Sequence, residues 1–204
     1  MNRSTDHIEV DLPEDMPEFL VDNVIEELQE KGLKIKIHKR IMYGTMAAID
    51  WLIPTAIVVC IFKSYFDGFL KEAGKDHYNT LRCWLKSLAD KGRLIKVHTI
   101  FANESSNKKA KNNTQSKSVS LLIQTKNHKT IKLLFDNDLN KEDWDNAIDQ
   151  FLDFAIDNYE TYPNDELTKA INQFDPDPKH KIIAIIDKDT KKLLFYSDRD
   201  IFHL

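Results

Sequence analysis

Asp67, Asp76 and His77, with Glu72 between them, are the residues whose types could carry acid–base chemistry. An imidazole and carboxylates within a few helical turns can pass a proton if their side chains converge on one substrate atom. The spacing works against this. Asp76 and His77 are adjacent, so a helix turns them to different faces, and His77 is not a helical neighbour of Asp67. No His-x-x-x-His or His-Glu-x-x-His pattern supplies metal ligands, and the sequence has no phosphate loop, dinucleotide-binding glycine motif or nucleophile elbow. An enzyme built on these three residues is therefore the third-ranked reading. The expectation is no catalytic set, no metal and no cofactor.

Cations offer a different chemistry. Lys34, Lys36, His38, Lys39 and Arg40 fall within one short segment, and Arg93 and Lys96 could extend the same patch. Such a group suits the phosphates of a nucleotide, an oligonucleotide or an anionic lipid. A second basic run, Lys108, Lys109, Lys111 and Lys117, lies in a polar stretch and reads as solvated charge. Asp136-Asn137-Asp138 and Asp187-Lys188-Asp189 look like pieces of calcium loops but lack the glycine and distal glutamate of an EF-hand, and read as turns. Cys60 and Cys83 have no partner at ligand spacing and read as reduced thiols. With no apolar core in Met1–Asp6, a cytoplasmic location is expected, with association to the inner membrane in an active state.

Composition sets the frame for these residues. At 42% apolar and 30% charged, the chain is globular rather than disordered. A net charge of -4 gives no whole-protein grip on nucleic acid. His7–Leu12 alternates polar and apolar residues, as a strand does. Phe19, Leu20, Val24, Ile25 and Leu28 then recur at helical spacing, with Gly32 placed as a C-cap. Leu33–Lys39 alternates again, so the start of the chain is read as a β-α-β unit. From Lys63 to Lys91 an amphipathic helix is expected, and from Arg93 to Phe101 a strand. A polar loop over 103–118, of a composition that favours motion, precedes a hairpin of Val119–Thr125 and Thr130–Phe135. Asn140 caps a helix that Pro163 ends. A short helix over 165–174 and a hairpin of 181–186 with 192–196 complete the chain.

One segment departs from this pattern. Tyr43 to Phe62 is apolar apart from Asp50 and a few small polar groups, and it approaches the ~20 residues that cross a bilayer. Asp50 would cost about 2.5–3.5 kcal/mol at mid-depth, and Pro54 would lack a hydrogen bond. Two readings stay open. One is a buried core helix kinked at Pro54. The other is a membrane-active helix in which Asp50, Trp51, Pro54, Ile57, Val58, Ile61 and Phe62 face lipid or a second subunit. A helix apolar on every side must be enclosed by something.

The blocks Trp51-Leu52-Ile53-Pro54-Thr55 and Tyr65-Phe66-Asp67-Gly68-Phe69-Leu70-Lys71-Glu72-Ala73-Gly74-Lys75-Asp76-His77-Tyr78 resemble ones found in uncharacterised bacterial proteins, over less than a fifth of the chain. The general build, a sensor half plus one apolar segment, is similar to that of membrane effectors in bacterial anti-phage systems. That resemblance implies an ion-channel-like antiviral role.

The expected fold is α+β: an N-terminal β-α-β unit with a helical insertion (41–91) within 1–102, the polar loop 103–118, and a hairpin-helix-hairpin half over 119–204. A single sheet shared by both halves is the alternative. The leading function is a non-enzymatic homo-oligomeric effector whose helix at 43–62 acts on the membrane under control of an anionic ligand or partner protein. The anion would be held by Lys34, Lys36, Lys39, Arg40, Arg93 and Lys96. The runner-up is a soluble cytoplasmic binding or scaffold protein that uses the same helix between subunits.

Overall fold

A computed structural model describes residues 6–16, 28–29, 32–40, 55–95, 114–173 and 182–197, without the side chains of residue 69 and residues 71–75. The fold is α+β, as expected, and one mixed sheet runs through both halves. Its strands are β1 (Ile8–Pro13), β2 (Ile35–Arg40), β3 (Ile57–Ile61), β4 (Gln115–Gln124), β5 (Thr130–Asp136), β6 (Ile182–Ile186) and β7 (Leu193–Ser197). They lie in the order β2-β1-β3-β4-β5-β6-β7. Parallel and antiparallel pairings alternate across the sheet: β1 with β2, β3 with β4 and β5 with β6 are parallel, and the pairs between them antiparallel. Each parallel pair needs a crossover segment, and the helices supply two of them.

The largest correction concerns the apolar segment. Ile57–Ile61 is not helical but is the third strand, with β1 on one side and β4 on the other. Ile57, Val59 and Ile61 are buried in the core, and Val58 and Cys60 point to the opposite face half-buried. The composition Ile-Val-Val-Cys-Ile suits this, because β-branched residues pack well on a pleated surface. The expected helical hairpin therefore loses the end of its first arm to β3, while Asp50, Trp51 and Pro54 lie outside the described residues. Among the described residues, no helix is long and apolar enough to cross a membrane.

The second arm holds. A π-helical turn, Tyr65–Phe69, runs into α1 (Leu70–Arg93), which extends past the expected end at Lys91. Arg93 is thus the last helical residue rather than the first of a strand. The rest of the strand expected over 93–101 lies outside the described residues from residue 96 onward. Asn140 caps α2 (Lys141–Thr161) as expected, accepting a hydrogen bond from Asp143 N–H at 2.9 Å. Asp165 caps α3 (Glu166–Ile171) in the same way. At Gly32, φ is 90°, and Leu33 N–H donates to Leu28 O at 3.1 Å, the 6→1 bond of a Schellman C-cap.

The helices pack on the sheet face that carries Ile8, Val10, Leu12, Ile57, Val59, Ile61, Val119, Leu121 and Ile123. From α1 come Leu81, Trp84, Leu85 and Leu88, and from α2 Trp144, Ile148, Phe151 and Leu152. The two helices are tied together at their rim by Arg82, which meets Asp149 at 3.1 Å and Asp153 at 2.7 Å, and by Lys86 to Asp149 at 2.7 Å. On the other face Leu134 and Ile183 form a second, smaller cluster joined by Ile185.

Residues 115–118, expected in the polar loop, belong to β4. Their serines look like loop residues because their hydroxyls are polar, yet Ser116, Ser118 and Ser120 are buried and paired. Ser116 Oγ lies 2.7 Å from Ser118 Oγ, and Ser120 Oγ 2.6 Å from Thr55 Oγ1. The register of β4 against β5 shifts between Gln115 and Ser120. Beside this irregularity α1 packs tightly on the sheet: a Cβ on Gly92 would overlap Val119 Cγ2. Alanine normally improves a helix over glycine by about 1 kcal/mol. Here the β-branched valine cannot rotate away, so Gly92→Ala should instead lower unfolding stability by about 1–3 kcal/mol in a denaturant titration. Adding Val119→Ala should recover part of that loss. An unaffected or raised midpoint for Gly92→Ala alone would refute this packing.

Candidate anion-binding edge

Among the described residues β2 ends the sheet, and it carries Lys36, Lys39 and Arg40 of the predicted cations, with Lys34 just before it. Alternation and register divide them between the faces. Lys36, His38 and Arg40 stand opposite Glu9, Asp11 and Pro13, while Lys39 shares the helix-bearing side with Leu12. Lys34, Lys36 and Lys39 are exposed and His38 and Arg40 half-buried. Two carboxylates of β1 answer them: His38 Nε2 lies 4.0 Å from Glu9, and Arg40 Nε 3.9 Å from Asp11. Half-exposed pairs at this separation are worth about 0–1 kcal/mol each. They draw His38 and Arg40 toward β1. Sequence reasoning passed over Glu9 and Asp11; the signal was their shared parity in an alternating strand.

The start of the edge is held by His7. Its Nδ1 accepts a hydrogen bond from Lys34 N–H at 3.2 Å, which requires an unprotonated nitrogen. Burial, then the Lys34 charge, holds the His7 pKa below its ordinary value and favours that form.

The remaining predicted residues go elsewhere. Arg93 is not at this edge. Its guanidinium lies 5.3 Å from the Trp144 ring centroid and donates to Leu139 O at 3.5 Å, beside the far end of β5. Four strand spacings, about 19 Å, separate β2 from β5. Lys96 lies outside the described residues. Val58 and Phe62 are half-buried, and Ile57 and Ile61 belong to the core under the helices. Asp67, Asp76 and His77 do not converge: Asp67 pairs with Lys63 at 3.5 Å, Asp76 is exposed, and His77 is buried. Among the described residues, no group of three or more His, Cys, Asp or Glu is arranged to hold a metal ion.

The two acidic turns read as calcium-loop fragments do meet. Lys188 reaches from one to the other, lying 3.1 Å from Asp136 and 2.8 Å from Asp138. Its ammonium neutralises the pair of carboxylates between which a cation would otherwise sit. This joins the last hairpin to the entry of α2.

No protein-family model, no curated protein and no solved structure matches this chain. The site therefore rests on its own geometry.

Cys60 sits on β3 opposite Glu9, on the same face as Lys36. Burial, with the Glu9 and Asp11 carboxylates adding to it, pushes its thiol pKa up to about 12. Cys83, on α1, is exposed. In native protein at mildly alkaline pH, a chromogenic disulfide reagent should therefore titrate one thiol rapidly, and Cys83→Ser should abolish that phase. Cys60 should react only on unfolding. A second fast equivalent would mean that β3 leaves the sheet readily.

Proposed function

We propose that this chain is a cytoplasmic binding protein that holds a phosphate-bearing anion, a nucleotide or an oligonucleotide, along its basic edge strand. The observation that carries the reading is β2. Lys36, His38, Lys39 and Arg40 stand on the strand that ends the sheet among the described residues, Lys34 comes just before it, and Glu9 and Asp11 of β1 meet His38 and Arg40. An ammonium binds phosphate as a point charge, and a row of them along an extended backbone matches a run of phosphates better than a single one. Lysines on an outer strand also discourage strand-to-strand aggregation. That role needs no ligand, and the experiment below separates the two.

A second reading, the membrane-acting oligomeric effector in anti-phage defence, is favoured by the apolar run from Trp51 to Phe62. It carries a cost. To deliver 57–62 to a bilayer, β3 must give up the backbone pairing on both its sides and expose Ile57, Val59 and Ile61. Under the binding reading, vesicles of anionic lipid retain their contents when the protein is added.

The test of the binding reading is fluorescence anisotropy with a labelled single-stranded oligonucleotide and, separately, a labelled nucleoside triphosphate, at low and moderate salt. The expected result is salt-sensitive binding of one or both probes. In the Lys34→Ala, Lys36→Ala, Lys39→Ala triple variant it should weaken at least tenfold. The salt slope on a single strand should fall by about 0.7 for each phosphate that the variant no longer neutralises. Equal affinity in the variant, or no binding of either probe at low salt, would overturn the proposal.

A further inference from the structure

The sheet ends differently on its two sides. β2 carries Lys36 and Lys39 in exposed positions, the device by which natural sheets repel foreign strands. β7 reads Leu-Leu-Phe-Tyr-Ser, without a charge, and Leu194 is 38% exposed. Among the described residues, β7 pairs with β6 alone. Beside it runs an open groove of roughly 400 Å³, lined by Phe154, Leu194, Phe195 and Tyr196 and, from α3 and its end, by Glu166 and Gln173.

Hydrogen bonds fix which backbone groups of β7 face outward. Asp187 N–H donates to Lys192 O at 2.8 Å, so Lys192 faces β6. Leu193 N–H donates instead to Gln150 Oε1 at 3.0 Å, on the outer side, and Gln150 Nε2 donates to Lys191 O at 2.7 Å. The Gln150 carboxamide thus takes the place of a neighbouring strand's peptide group at the start of this edge. Outward and inward groups alternate along a strand, so the N–H and C=O of Phe195 also point outward, two residues beyond the reach of that cap.

We infer that β7 is the surface on which a second copy of this chain docks, its own β7 adding antiparallel across a two-fold axis at Phe195. Phe195 is the middle residue of a five-residue strand, and both its backbone groups face out. A two-fold axis there makes each Phe195 N–H donate to the other's C=O, the reciprocal pair that an isologous contact requires. The same register sets Leu194 against Tyr196 of the second copy, an aliphatic–aromatic pair on one face. Charge permits it as well. Among the described residues, the nearest like charges along the strand, the two Lys192 ammonium groups, fall six residues apart, about 20 Å, which is roughly two screening lengths at 0.1 M salt. A basic strand like β2 could not approach itself in this way. This inference does not depend on what β2 binds.

The experiment uses the full chain. Its mass is 23.8 kDa, so light scattering after size exclusion should report about twice that value at concentrations up to about 100 µM. Leu194→Lys places a charge on an exposed position, so the fold should persist by circular dichroism while dimer dissociation rises at least tenfold. In a Cys60→Ala, Cys83→Ser background, spin labels at Lys192→Cys should lie about 20–35 Å apart by pulsed EPR, the backbone spacing plus the label arms. A chain that stays monomeric at about 100 µM overturns the inference. So does a dimer that ignores Leu194→Lys or holds its labels outside that range.

Discussion

The middle position of β3 is the constraint on which the rest of the molecule depends. Five residues, Ile57–Ile61, join β1 to β4 and so join the first third of the chain to everything after residue 114. Their inward side chains fill the space beneath α1. Their outward neighbours, Val58 and Cys60, support the face on which Glu9 and Asp11 align the cations of β2. Pairing on both sides satisfies the backbone of this strand, and the core covers Ile57, Val59 and Ile61, so a sequence this apolar can sit in the sheet.

Much of the fold was legible because alternation and capping are local. His7–Leu12 and Leu33–Lys39 declare themselves by their period of two, and Asn140 and Gly32 by their positions at helix ends. Ile57–Ile61 does not, since both faces of that strand are at least half-buried and the run shows no alternation to read. Its β-branched residues were the available signal, and the length of the apolar stretch around them outweighed it. The polar run at 115–118 misleads for the opposite reason: its hydroxyls satisfy one another inside the sheet.

The cations of the candidate site were legible as a group, but not their boundaries. Lys34 to Arg40 form one edge because a single strand carries them. Arg93 is close to them in neither sequence nor space, since α1 runs on past Lys91 and delivers the guanidinium to Trp144. The parity of Glu9 and Asp11 in their strand is legible, but which side chains they meet, His38 and Arg40, follows only from the parallel register of β1 and β2.

The alternation of parallel and antiparallel pairs also orders events on the ribosome. β3 can find β1 as soon as it emerges, but its other neighbour, β4, begins only at Gln115. At elongation rates of about 5–20 residues per second, the nascent chain carries an apolar strand with one side unpaired for several seconds. During that interval β3 is itself an outer strand, and a hydrophobic one, so the stretch that looks built for a membrane is where a chaperone would be expected to act during synthesis.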